Sequence, residues 1–351
     1  MSKPLLIYGV TGYTGRLILD EALARGLRPV LSGRNADAVR AIATQHGLEA
    51  RPTSLDDPAA LRVALMGMGA VLHCAGPFFR TVSTMLDACL DMGVHYMDIT
   101  GEIAVFERLA VAGHRAREAG ITLLPGVGFD VVPTDCLAAH LKRRLPGANS
   151  LELAFSGGSA PSHGTAATVI EGMGLGGAIR RNGRIERVPS AWRTRTIAFA
   201  DKSRLCVTIP WGDVSTAFYS TGIPDITTYM ATSRSGLRSL RVSRVLEPLL
   251  RMPSVKRFML RRLKSRPAGP GPEALERTQS QVWGEAKDAD GQVVQARLTA
   301  PNGNTLTAVA AVRAAERLLA GGVPAGFNTP SKAFGADFVL EIPGTMREDL
   351  P

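Results

Sequence analysis

The chain is poor in the groups on which several classes of function depend. Its 351 residues hold four cysteines, Cys74, Cys89, Cys136 and Cys206, and no two form a Cys-x-x-Cys pair. Reduced, mostly buried thiols in a cytosolic protein are therefore expected. The six histidines show no metal-ligand spacing, so no metal site is predicted. No run approaches eighteen apolar residues, which argues against a transmembrane helix. Met1-Ser2-Lys3-Pro4 passes directly into an apolar run, leaving no space for a signal peptide. The Tyr-x-x-x-Lys pair of short-chain dehydrogenases is missing too. The residues four places after Tyr8, Tyr13, Tyr96, Tyr219 and Tyr229 are Gly12, Leu17, Thr100, Ile223 and Ser233. What remains is an ordinary globular composition, 45% hydrophobic and 21% charged, long enough for two domains.

Glycine supplies the first positive signal. Leu5-Leu6-Ile7-Tyr8 is a short apolar run, Gly9-Val10-Thr11-Gly12-Tyr13-Thr14-Gly15 follows it, and Arg16–Arg25 carries helical periodicity. Strand, glycine turn and helix open a dinucleotide-binding βαβ unit. Gly9 serves the tight turn, Gly12 lets the backbone approach a pyrophosphate, and Gly15 lets the helix pack close to the sheet. The free N–H groups at the helix start attract phosphate charge. The spacing Gly-x-x-Gly-x-x-Gly has one residue more than the Gly-x-Gly-x-x-Gly fingerprint.

Strands and helices then alternate to about residue 125. Strands are expected at 27–32, 48–53, 69–74, 94–98 and 121–124, with helices at 36–46, from about 56 to 66, at 81–92 and at 103–119. Ser54 or Asp56 is the expected cap of the helix ending at Met66. This is the rhythm of a Rossmann-type doubly wound parallel sheet of six strands. After Pro125 a turn-rich loop leads into a helix ending at Leu145. Strands are then expected at 151–156, 194–200, 205–210, 215–220, 226–232, 281–288 and 292–300. A helix at 165–180 is entered through Gly157-Gly158-Ser159 and Gly164. The fold class is thus α/β with a second α+β domain of mixed or antiparallel sheet. The expected division is an NADP-binding domain over 1–148 and a substrate or interaction domain over 149–303. The segment 304–336, with a strong helix over 305–319, is expected to return to the first domain.

The residue that ends the second strand meets the adenosine ribose in such a unit. An acid there binds the 2′-hydroxyl of NAD and repels a 2′-phosphate. Ser32-Gly33-Arg34 has no acid. Arg34 can hold a phosphate by a charge-assisted pair and Ser32 can donate to it, so the expected cofactor is NADP(H). The cofactor-binding set is Gly9, Thr11, Gly12, Tyr13, Thr14, Gly15, Ser32, Gly33, Arg34, Asp56, Ala75, Gly76, Pro77 and Phe78. The last four follow the fourth expected strand at the edge where open α/β sheets bind ligands. Asp98 and Glu102, in Tyr96-Met97-Asp98-Ile99-Thr100-Gly101-Glu102, lie at that edge. They are catalytic candidates, as is Asp130. The competing reading makes Thr100 a helix cap and Glu102 a first-turn acid.

These motifs, with Gly128-Phe129-Asp130-Val131-Val132-Pro133-Thr134-Asp135 and Thr329-Pro330-Ser331-Lys332-Ala333-Phe334-Gly335, resemble those of the saccharopine dehydrogenase-like oxidoreductases, nearest the trans-acting enoyl reductase type. The likeness covers residues 1 to about 180 and the C-terminal segment. It implies an NADP-binding Rossmann domain, a second α/β domain and a substrate cleft between them. The expected function is NADPH-dependent reduction of a C=C or C=N bond in a small-molecule or acyl substrate. The alternative is a non-catalytic NADP sensor that binds a partner.

The net charge of +10 is local. Residues 234–266 hold eleven Lys/Arg and one acid, Glu247, and the remainder balances at 30 basic and 30 acidic residues. Within 237–264, Val242, Val245, Leu246, Leu249 and Leu250 fall on one helical face. Val255, Phe258, Met259 and Leu263 repeat the pattern among Lys256, Arg257, Arg261, Arg262 and Lys264. Two readings stand: a basic amphipathic pair that touches a membrane surface or an acyl carrier, and helices packed on the second domain with a solvated basic face. Nucleic acid is not expected as a partner, because no aromatics are interleaved. A homodimer is one assembly open to such a chain.

Overall fold

The computed structural model describes residues 3–157 and 162–351, and at Lys264 the backbone alone. Gly158, Ser159 and the Lys264 side chain, singled out above, lie outside the described residues. The chain divides into two compact units, one of 1–129 and 304–333, the other of 130–303 and 334–351. The division falls at Phe129 and not at 148. The helix Val132–Arg144 packs on strands of the second unit and places its apolar residues there. The return of the C-terminal segment likewise stops at Ala333.

The first unit is built on a six-stranded sheet, parallel throughout. Its order is Gly326–Phe327, Thr122–Leu124, His95–Asp98, Ala70–His73, Leu5–Tyr8, Val30–Ser32. The first strand is flanked by the second on one side and by Ala70–His73 on the other, which makes a topological switch point beside it. Fully buried Leu6, Val71, Tyr96 and Leu123 pack with Leu61, Val82, Met85 and Leu109 from the helices Pro58–Leu65, Phe78–Met92 and Ile103–Val111. Burying a large apolar side chain contributes about 1.5–3 kcal/mol, so this layer fixes the edge from which the loops project.

Three expectations for this unit need correction. Residues 48–53 form no regular strand; Ala50 makes a single parallel bridge to Leu31. The sixth strand is instead Gly326–Phe327, delivered by the returning segment. The helix at 103–119 is two, Ile103–Val111 and Gly113–Glu118, broken at Ala112. A Cβ on Gly113 would lie 3.1 Å from that of Phe327, so the returning strand needs a glycine there.

The second unit is a nine-stranded mixed sheet. Met346–Leu350, Val293–Pro301, Gln279–Lys287, Ser150–Ser156, Asp225–Ala231, Ser203–Thr208 and Thr194–Ala198 lie side by side, and the hairpin Gly177–Arg181/Arg184–Val188 attaches to Asp225–Ala231. The one parallel pair among them is Ser150–Ser156 with Asp225–Ala231. The helix Val132–Arg144 lies so close to Gln279–Lys287 that a Cβ on Gly284 would come within 2.7 Å of Leu141.

Two assignments change here. The helix expected at 165–180 is His163–Gly172. Gly174 and Gly176, both at φ +80, stop it, and Asn182 (φ 49) with Gly183 (φ +75) turns a hairpin. Asn-Gly is a strong signal for such a turn. The strand expected at 215–220 is the helix Asp213–Thr221, closed by Gly222 at φ +71.

Candidate functional site

The glycine turn sits at the switch point. Gly9 has φ +90, a conformation costly for any residue with a side chain. A Cβ there would lie 3.1 Å from the Ala75 nitrogen, so the glycine turn and the Ala75–Phe78 turn touch. A Cβ on Gly15 would fall 2.4 Å from the Gly9 carbonyl oxygen, whereas one on Gly12 would meet nothing nearer than 3.3 Å. Gly15 is thus required inside the turn, and Gly12 faces outward. The helix Tyr13–Ala24 starts from Gly12 with no side-chain cap. An uncapped first turn under an exposed glycine backbone fits a pyrophosphate.

The Ser32–Arg34 loop adjoins this turn. Gly9 N donates to the Ser32 carbonyl at 2.9 Å. The Ser32 side chain is fully buried and its Oγ donates to the Arg51 carbonyl at 2.7 Å. With its one proton engaged, Ser32 does not donate to a 2′-phosphate as expected; it anchors the loop. Arg34 is exposed and makes no ion pair or hydrogen bond among the described residues. Its charge reaches the Tyr8 hydroxyl, where it works against the upward shift caused by burial. Asp56 is exposed in a turn held by Ser54, and the helix Pro58–Leu65 is capped by Asp57 rather than by Ser54 or Asp56. Thr11 is exposed, and Tyr13 and Thr14 are half-buried in the first helical turn.

The Ala75-Gly76-Pro77-Phe78 turn carries a cis Gly76–Pro77 peptide and opens the helix Phe78–Met92. Pro77 offers that helix no side-chain cap. Glu102 supplies one from 24 residues away: its Oε1 accepts from Phe78 N at 2.9 Å and its Oε2 from Phe79 N at 2.8 Å. The catalytic reading of Glu102 gives way to a structural one, because a carboxylate holding two helix N–H groups is stabilised as the anion where it is. The local-cap alternative is also corrected. Thr100 Oγ1 accepts from Glu102 N, and Glu102 caps a different helix from the one it precedes.

Asp98 is likewise consumed. It is fully buried; its Oδ2 accepts from the Tyr96 hydroxyl at 2.6 Å, and its Oδ1 from Thr100 N at 3.0 Å and Gly126 N at 2.9 Å. Burial raises its pKa to about 6 against the pull of those donors. The carboxyl ties the end of its strand to the loop after Thr122–Leu124. Neighbouring His73 gave no sequence signal beyond its place in an apolar strand. Its ring is fully buried between Tyr8, Phe78 and Tyr96. Nε2 lies 2.9 Å from Thr81 Oγ1, which donates to the Ala75 carbonyl at 3.1 Å. Burial lowers its pKa to about 3, and Nδ1 has no hydrogen-bond partner among the described residues. A neutral imidazole thus underpins the Ala75–Phe78 turn.

Asp130, half-buried, belongs to the second unit. Its charge adds to that of Asp135 in raising the carboxyl of Asp213, which burial already pushes well above the usual carboxylate range. Thr134 Oγ1 lies 2.7 Å from Asp213 Oδ2 and 3.1 Å from the Val131 carbonyl. Ser220 completes the cluster by donating to Asp135. Reading 215–220 as a strand concealed this group, because only a helix turns Asp213 and Ser220 toward Val132–Arg144. Among the described residues, no group of His, Cys, Asp and Glu could hold a metal ion.

The first unit's pattern is a known one. Residues 5–124 match the family model of the saccharopine dehydrogenase NADP-binding domain. A probable mitochondrial saccharopine dehydrogenase-like oxidoreductase of Arabidopsis thaliana is 30% identical over 148 residues, 37% of this chain and 33% of that protein. The trans-acting enoyl reductase of Mycobacterium ulcerans is 30% identical over 158 residues, 43% of this chain and 38% of its own length. The chain therefore matches only 33% and 38% of the length of these relatives. Among solved structures, apo saccharopine dehydrogenase (L-Glu forming) of Saccharomyces cerevisiae aligns with 99% of this chain and 100% of its own at a TM-score of 0.66 and 12% identity, which shows a shared fold.

Proposed function

We propose, from the match of residues 5–124 to the saccharopine dehydrogenase NADP-binding domain, that the chain is a saccharopine dehydrogenase-like oxidoreductase, an NADPH-dependent reductase acting on a C=C or C=N bond of an apolar or acyl-type substrate. The observation that carries the reading is the contact of the glycine turn with the Ala75–Phe78 turn at the switch point, beside an Arg34 with no ion pair among the described residues in a Ser32–Arg34 loop that has no acid. A nicotinamide cofactor fits there: Gly12 leaves the backbone open, and the uncapped start of the helix Tyr13–Ala24 would hold a pyrophosphate. Arg34 selects the 2′-phosphate of NADP over NAD. When bound, NADPH supplies the hydride. The chain's own groups orient and hold. Glu102 and Asp98 fix the loops at the sheet edge and, being engaged, are not the proton donor. Of the three acids, Asp130 keeps a candidate polar role. The choice of an enoyl or acyl substrate rests on the likeness to the Mycobacterium ulcerans enzyme.

The test is a fluorescence titration with NADPH and NADH, followed by an absorbance screen over enoyl thioesters and imines. Wild type is expected to prefer NADPH by at least about tenfold, the effect of one charge-assisted phosphate contact, and Arg34→Asp to abolish or invert that preference. Preference for NADH overturns the cofactor assignment. Tight NADPH binding with no turnover on either substrate class favours the NADP-sensing alternative.

A further inference from the structure

The helices over 234–264 turn the usual arrangement of an amphipathic element around. Three of their cations face the second unit's own backbone. Arg244 donates to the Ala191 carbonyl at 2.7 Å, Arg251 to that of Gly174 at 2.6 Å, and Lys256 to that of Glu171. Those bonds hold the segment in place. The apolar stripe is left outward: Val242 is 58% exposed, Val245 81%, Leu249 48% and Phe258 59%. The helix Arg234–Val245 buries none of its residues. Six of the fifteen exposed large apolar side chains in the described residues fall between 242 and 258. The outward stripe argues against the reading in which it packs on the second unit for Arg234–Val245, the first of the three helices over 234–264.

The charge around this stripe has one sign. Arg234, Arg238, Arg241, Arg257, Arg261, Arg262 and Arg266 are exposed and make no ion pair among the described residues. The one acid in the segment, Glu247, is paired with Arg251. Exposed apolar groups interspersed with unpaired arginines on a convex helix match a layer that is anionic at its surface and apolar just beneath. An acidic protein would meet the arginines but leave Val245 and Leu249 in water unless it carried a complementary apolar groove. No helix of the described residues is long and apolar enough to cross a membrane, so the contact would lie in the plane of the surface.

We propose that residues 234–266 are a docking surface for anionic phospholipid membranes, with Val242, Val245, Leu246, Leu249 and Phe258 entering the headgroup boundary and the arginines resting on phosphate or carboxylate headgroups. The assignment is independent of the proposed reductase activity, so circular dichroism and the melting temperature serve as the folding control.

The test is co-sedimentation of the full chain with vesicles of phosphatidylcholine alone and of phosphatidylcholine with phosphatidylserine, across a salt series. The chain is expected to pellet with the anionic vesicles at low salt and to be released as salt rises. Arg257→Glu with Arg261→Glu and Arg262→Glu should lower partitioning by at least about tenfold. Val245→Asp with Leu249→Asp should remove the fraction that resists salt. Both variants should keep the wild-type circular dichroism spectrum and melting temperature. Absence of pelleting with anionic vesicles at low salt overturns the proposal. So does equal pelleting of wild type and both variants, or retention on an immobilised acidic acyl carrier without vesicle binding.

Discussion

His73 shows how a single buried side chain makes the stability of the first unit depend on pH. Its folded pKa, about 3, lies below the value near 6.5 that it has in an unfolded chain. The unfolded state therefore binds more protons between those values, and stability falls as pH drops through that window. Asp98 acts in the opposite sense. Its folded pKa of about 6 exceeds its unfolded 3.8, so its contribution is present below pH 4 and is lost as pH rises toward and beyond 6. The two largely offset each other in mildly acidic buffer. Replacing His73 by Phe removes one side of the balance. Between pH 7 and pH 4, wild type should lose ~3 kcal/mol relative to His73→Phe in denaturant titrations. Identical pH profiles for the two proteins would refute the neutral, buried imidazole.

At the scale of the element, the Phe78–Met92 helix depends on a cap delivered by another loop. Glu102→Ala should cost about 1–2 kcal/mol, seen as a fall in the melting temperature. NADPH binding should weaken in step with the loosened Ala75–Phe78 turn. Loss of turnover at unchanged stability would return Glu102 to a catalytic role. The same helix marks where reading the sequence succeeds and stops. Gly9, Gly12 and Gly15 were legible because turn geometry is local: each demand can be stated within seven residues. The strand–helix alternation to Leu124 was legible from periodicity for the same reason. Glu102 was not, because its partners at Phe78 and Phe79 are distant in sequence and nothing about an acid after a strand names the helix it will cap. Ser32 was misread similarly, since the Arg51 carbonyl that takes its proton comes from the next crossover. Residues 48–53 have a strand's composition and run beside the second strand through backbone hydrogen bonds that link Glu49 and Arg51 to Leu31 and Thr53 to Gly33, but they complete only the single bridge of Ala50 to Leu31. The hairpin at Asn182-Gly183 was there to be read; extending a helical pattern past Gly174 and Gly176 hid it.

For the whole molecule, the two units draw on the chain out of order. The first takes 1–129 and 304–333, the second 130–303 and 334–351. The last strand of the parallel sheet, Gly326–Phe327, pairs with Thr122–Leu123, and the second sheet's Gln279–Lys287 pairs with Ser150–Ser156. The polypeptide is thus basted through both sheets like a thread through two layers of cloth. A protease that cuts the exposed Ser265–Ala268 stretch severs the thread without undoing the stitching, because each fragment owns strands in both units. The nicked protein should run as two bands on a denaturing gel yet elute as one species, at the intact size, from a gel-filtration column. Separation of the fragments without denaturant would contradict the interleaving. A ribosome meets the same topology from the other side: it must release more than 320 residues before the first sheet can acquire its final strand, so the domain that begins first is finished almost last.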